Sequence, residues 1–517
     1  MSVGMDAPKR RRRSARRGES KTQSAIPQLP RRAVRNPYPP FAILSDDQIE
    51  AVHLASMRIL EEFGIEVMSD AALDRFAGAG AKVDRESRTV FLDRGLVAEK
   101  LATTPAEFTL TPRNPENRVT LGGNAINFTL AAGPPNVHDR VRGRRAGNMD
   151  DYRDLVRLAQ HFNAIHLLGN QVCAPIELPA NTRHLDTYRA NLTETDKCFH
   201  VSAIGRGRAV DGAAMAAIAR GMTLDEVRDD PGVTTIISVN SPRRLDEAMA
   251  DGLIALAELG QSVCVTPFTL MGAMSPVTLA GALAQQNAEA LAGIVLTQIV
   301  RPGAPAIYGA FTSNVDMRSG APAFGTPENA KANLAAGQLA RRYKLPYRTS
   351  PCSASNVADA QGAWETMMAL WSAVLGHGNL IYHGAGWQEG GLTVSYEKLV
   401  QDVEMIQHMI AWLEPVAVDD GELALDALGR VMPGGHFFGD AHTLERYATA
   451  FYQPMLSNWQ NHESWLEAGG HDAAERATAL WKKALAEYEQ PAMDEGVREA
   501  LDAYVARRKE EIGEGEP

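Results

Sequence analysis

The chain has 517 residues, 45% of them hydrophobic and 22% charged, with a formal net charge of −11. That is enough to bury a large core, in two to four average domains or in fewer if one barrel absorbs over ~250 residues. No run of about 18 uninterrupted apolar residues is present, so no membrane-spanning helix is expected, and with no apolar leader the protein is expected in the cytoplasm.

Charge is unevenly placed along the chain. Residues 1–36 carry eleven Lys/Arg against two Asp/Glu, and the remainder carries 41 against 61. The leader, with KRRRRSARRGESK, is too polar and too charged to fold alone and reads as a disordered basic tail over 1–36. The acidic body argues against nucleic acid as a partner.

Residues 37–124 read as an N-terminal α+β cap. A helix is predicted over 45–63, with Ser45 as N-cap and Ile49, Val52, Leu54, Met57, Ile59 and Leu60 at helical spacing. A second helix follows near 70–79, with extended pieces near 89–92 and 107–111.

From 125 to 413, strand-like runs alternate with long helical stretches. The strands are 126–131, 164–170, 198–203, 233–240, 262–268, 304–311, 345–351 and 380–384. Helices follow each, near 149–160, 180–193, 209–220, 242–259, 277–300, 327–342, 360–375 and 394–412. Eight such units predict an α/β fold, a closed (β/α)8 TIM barrel. An open doubly wound sheet would carry GxGxxG near its start, and GRG at 205–207 lacks the last glycine. Residues 414–517 read as a C-terminal helical extension over the barrel. It ends in a charged helix at about 473–511, with His442, Tyr452, Trp459 and Trp465 in its core.

Barrel chemistry collects at strand C-termini, and the richest candidate is GNLIYHGAGWQEGGLTV (378–394). His383 ends the last strand, and alternation turns it to the opposite face from Tyr382. Its two readings are a site residue and a histidine that ties the loop down. Trp387 and Glu389 pair an aromatic face with a carboxylate, as a quaternary ammonium group requires; packing of the loop is the other reading. Ser395, Tyr396, Glu397 and Lys398 read as structural, as do Asn287 and Glu289 in the long apolar helix. There is no HExxH, no GxSxG, no Walker loop and no Cys/His cluster at zinc spacing, so no metal site is expected. Cys173, Cys198, Cys264 and Cys352 read as small buried residues.

GAPAIYG (303–309), NAEALAGIVLTQ (287–298), GLTVSYEKLVQDVEM (391–405) and HTLERY…YQPMLSNW (442–459) resemble the trimethylamine methyltransferase family. The resemblance implies a (β/α)8 barrel that moves a methyl group from a quaternary or tertiary methylated amine, such as glycine betaine, to Co(I). The corrinoid belongs to a cognate partner protein, and this chain is expected to hold no cofactor itself. The trimethylamine enzymes proper use pyrrolysine, and no nonstandard residue is written here, so the chain resembles the non-pyrrolysine branch, which acts on glycine betaine-type amines. For such a reaction, position at the strand ends and chemistry make His383 the expected catalytic residue, with Trp387, Tyr308 and Phe268 to hold the cation and Glu389 as countercharge. Asn356 and Tyr347 complete the substrate set. A homo-oligomer is possible. Two alternatives stand beside this: a binding or regulatory barrel without turnover, and a demethylase that uses another one-carbon acceptor.

Overall fold

The computed structural model describes residues 26–513. Eight parallel strands close a barrel: β1 (Ala125–Leu130), β2 (Leu167–Leu168), β3 (Cys198–Val201), β4 (Val233–Ile237), β5 (Ser262–Val265), β6 (Ala306–Gly309), β7 (Tyr347–Thr349) and β8 (Leu380–Ala385). Closure is by β8 on β1, with Leu380 opposite Asn127 and Ile381 opposite Phe128. The helices are α1 (Met149–His161), α2 (Arg183–Glu194), α3 (Arg206–Ala219), α4 (Glu247–Glu258), α5 (Leu279–Val300), α6 (Pro327–Arg342), α7 (Ala360–Leu375) and α8 (Tyr396–Trp412). Every predicted strand and helix of the barrel is present within a few residues of its expected bounds.

The N-terminal end of the barrel is plugged. A hairpin of Glu107–Leu110 and Val119–Gly122 sets Leu110, Val119 and Leu121 against Leu167, Cys198, Cys264, Ile307 and Leu380, all buried. Each large side chain so covered contributes roughly 1.5–3 kcal/mol. Only the C-terminal end of the barrel is left for a ligand.

The helix Asp46–Arg58 starts at Ser45, whose side chain and that of Gln48 form a capping box. It runs into a π-helical turn, Ile59–Phe63. With helices Asp70–Gly78 and Arg94–Leu101 it packs on α5, which explains how α5 can be apolar on all sides. Asn287 of α5 donates to Ser56 Oγ (2.8 Å) and Tyr343 Oη (2.9 Å). Glu289 accepts from Ser241 Oγ and the Arg243 amide. Both residues hold layers together, as expected.

Three expectations need correction. The predicted tail, 1–36, falls partly outside the described residues, but 26–36 are built into the fold. Ile26 and Val34 are buried, Val34–Arg35 pairs antiparallel with β1, and the Asn36 amide group donates to the Val374 carbonyl at 2.9 Å. Apolar side chains at 26 and 34 outweigh the nearby arginines. The single C-terminal helix is two, Ala473–Ala486 and Glu495–Ile512. The break lies around Pro491, which has no amide hydrogen for the helix. Trp459 is 68% exposed rather than core. The whole of 414–451 buries little, because its short helices have too few apolar neighbours on this chain.

Candidate active site

A cavity of about 300 Å3 opens at the C-terminal end of the barrel. Its wall includes Phe268, Phe311, Arg348, Tyr382 and His383. Strands Phe268–Met271 and Phe311–Val315 run on past β5 and β6 as a parallel pair, with Phe268 opposite Phe311. This extension sets the two rings 4.9 Å apart, with Phe324 stacked on Phe311 at 5.3 Å.

His383 and Tyr382 do not face opposite ways. His383 has φ +61°, a left-handed conformation uncommon for a side chain of its size, and the register of β8 against β1 shifts between Ile381 and Ala385. The alternation is broken there, and both rings line the cavity. The Tyr382 hydroxyl accepts the Asn170 amide hydrogen at 2.8 Å. His383 Nδ1 is within reach of Ser350 Oγ (3.3 Å) and Cys352 Sγ (3.6 Å). Burial, with Arg348 and His200 nearby, holds the His383 imidazole well below its usual pKa. It is neutral at physiological pH.

Trp387 lies behind the wall, its ring 4.0 Å from that of His383. Gly391, at φ +104°, allows this placement: a Cβ there would sit 2.3 Å from the indole. Glu389 is not an available countercharge. It pairs with Arg144, Nε to Oε2 at 3.0 Å, and stands outside the cavity wall. Asn356 is exposed, and its carbonyl accepts from Gln388 at 2.8 Å.

Tyr308 and Tyr347 are absent from the cavity wall. The Tyr308 hydroxyl donates to Asn287 of α5 (2.8 Å) and that of Tyr347 to the Asn333 carbonyl of α6 (2.7 Å). Both belong to the layer between strands and helices, because strand residues alternate between barrel interior and helix layer. The same alternation turns Arg348 inward, a residue that sequence reasoning passed over. Its signal was a lone arginine inside an apolar strand-like run. Of the expected set, the structure brings together His383 and Phe268 in the wall and Trp387 behind it. To these it adds Phe311, Tyr382 and Arg348.

The loop-to-helix segment after the site is structural. Ser395 caps α8, Lys398 pairs with Asp402, and Asp402 accepts the Gly386 amide hydrogen at 2.8 Å. Glu397 accepts from Trp481 Nε1 (2.9 Å) and Thr478 Oγ1 (2.8 Å).

The sequence model of the trimethylamine methyltransferase (MTTB) family matches residues 9–513. The chain belongs to this family. It is 38% identical, over 92% of its length and 99% of the relative's, to glycine betaine methyltransferase of Desulfitobacterium hafniense (strain Y51). It is 28% identical to trimethylamine methyltransferase MttB of Desulfitobacterium hafniense (strain DSM 10664 / DCB-2), over 92% and 95%. The proline betaine:corrinoid methyltransferase of Eubacterium limosum is 27% identical, over 89% and 96%. Among solved structures, that of the hydroxylamine MtmB complex matches 90% of this chain and 95% of its own with a TM-score of 0.51 at 10% identity. At that identity the likeness is one of fold. As a member of the trimethylamine methyltransferase family the chain is a methyltransferase of methylated amines.

Proposed function

We propose that this chain takes a methyl group from the nitrogen of a quaternary methylated amine, glycine betaine or a relative of it, and passes it to cobalt(I) on a separate corrinoid protein. The observation that carries this reading is the aromatic wall of Phe268, Phe311, Tyr382 and His383 at the open end of the barrel. Aromatic faces attract a desolvated ammonium by about 0.5–2 kcal/mol each.

The residues suit a reaction without acid catalysis. A quaternary nitrogen already bears its charge and leaves as a neutral amine, so the protein has to position it rather than protonate it. A neutral His383, wedged between Tyr382 (4.4 Å) and Trp387 (4.0 Å), offers a fixed surface and is not held as an imidazolium acid. A cavity of about 300 Å3 holds a small amine and has no room for a corrin macrocycle. The cobalt centre, which supplies the nucleophile, would therefore be presented at the mouth by its own protein. We place the reaction in the cytoplasm, where the four free cysteines stay reduced. No helix among the described residues is long and apolar enough to cross a membrane.

The test is transfer to free cob(I)alamin, followed by loss of its absorbance, across a panel of quaternary and tertiary amines. Turnover with a quaternary amine, abolished in His383→Ala, supports the reading. Calorimetric binding with no transfer from any amine would leave a binding barrel instead.

A further inference from the structure

Arg348 is 1% exposed and lines the cavity, yet among the described residues no carboxylate pairs with it. Its Nη1 donates to the Ala310 carbonyl at 3.2 Å, and its Nε is buried with no partner. The guanidinium carbon stands 5.0 Å from the Phe311 ring and 4.9 Å from that of Tyr382. Two aromatic rings thus flank the group, and its Nε–H is left unmet. A buried charge without a counterion is costly, by several kcal/mol in real proteins. Each such group in a native structure calls for an explanation, and a ligand that completes it is one.

The charge in the cavity also has the wrong sign for a bare cation. Glu389 is already paired with Arg144, and no Asp or Glu lies in the wall. Tetramethylammonium or choline would enter beside Arg348 and face like-charge repulsion in a dry site. A zwitterion meets neither objection. Its carboxylate takes the arginine's unmet donor in the geometry that guanidinium favours, and its ammonium rests on the wall rings that Arg348 does not cover, Phe268 and His383.

We propose that Arg348 is the carboxylate anchor of this site and restricts the chain to zwitterionic substrates, methylated amines with a carboxylate a few bonds from the charged nitrogen. This rests on the methyl-transfer reading above and adds the residue that selects among amines. Arg348 binds the end of the substrate that does not react, so the reacting methyl is held by its distance from the anchor.

The experiment is titration calorimetry without any corrinoid, using glycine betaine, choline and 3,3-dimethylbutyrate, the last being the uncharged-carbon isostere that keeps the carboxylate. The intact chain is expected to bind glycine betaine and dimethylbutyrate, and choline about 100-fold or more weakly. Arg348→Met should weaken both carboxylates about 100-fold or more without lowering Tm, since an apolar side chain replaces an unpaired charge. Equal affinity of the intact chain for choline and glycine betaine overturns the proposal. So does unchanged betaine affinity in a folded Arg348→Met, and if that variant fails to fold, the ligand series on the intact chain decides. Transfer assays separate the two readings. Methyl transfer from choline as fast as from betaine sinks the anchor and keeps the methyltransferase. Arginine-dependent betaine binding, with no transfer from any amine, does the reverse.

Discussion

The rings of Tyr382 and His383, consecutive residues on β8, lie 4.4 Å apart on the wall of one cavity. A regular strand would send them to opposite faces, and the φ of +61° at His383 is what brings them together. Such a conformation costs of order 1–3 kcal/mol and persists where the surroundings impose it. His383→Gly should therefore be more stable than His383→Ala by about 1 kcal/mol, since glycine adopts positive φ freely. Both should lose methyl transfer. Urea melts of the pair check the first statement and cob(I)alamin assays the second; equal midpoints would mean that the backbone there is not strained.

Acid should destabilise the fold through its buried histidines. Burial pulls His166 and His200 down to about 3 and His383 well below the ordinary value. An unfolded histidine takes its proton near 6.5. Below that pH the unfolded chain binds protons that the native chain refuses, so stability is full above about 6.5 and is lost as pH falls towards 3. Each such histidine removes up to about 1.4 kcal/mol per pH unit. Calorimetric Tm should fall between pH 6.5 and 5, and less steeply in His200→Phe, whose ring nitrogens have no partner to lose. A Tm that stays level across that range would contradict the shifts.

Lys398 and Asp402 are both buried and paired with each other. Lys398 also donates to Thr366 Oγ1 at 2.7 Å. Asp402→Asn leaves the ammonium without its countercharge and should cost about 3–5 kcal/mol. The double variant Lys398→Met/Asp402→Leu should recover most of that loss, short of the bond from the Gly386 amide to Asp402. Denaturant melts of the two variants read the difference. Equal losses would show that the network matters for its hydrogen bonds rather than its charges.

The segment from 414 to 451 should be covered in solution by a second copy of the chain. Val416 is 84% exposed, Met432 76%, Phe438 82% and Phe451 76%. Large exposed apolar side chains recur along this segment; such surface marks interaction sites, and symmetric self-association is the commonest way to cover it. Sedimentation should show an oligomer that Phe438→Asp with Phe451→Asp dissociates. A monomeric intact chain would refute this.

Eight strand–helix alternations, the Ser45 cap and the glycine loop after β8 could be read from the sequence alone. They depend on local periodicity, on side chains that bond their own backbone and on glycines at positive φ, and all of these act over a few residues. The composition of the site could not be read that way. Tyr308 and Tyr347 looked like site residues and face the helices, whereas Arg348, one position along from Tyr347, faces the cavity. A strand end carries the same residues whichever way it is turned, and a single residue of register exchanges its two faces. At His383 even that alternation fails, because the left-handed turn and the shift against β1 override it. The sign of the charge in the cavity was decided still later. It depends on Arg144 reaching Glu389 and on no carboxylate reaching Arg348, partnerships between residues far apart in the chain that only the closed barrel brings about.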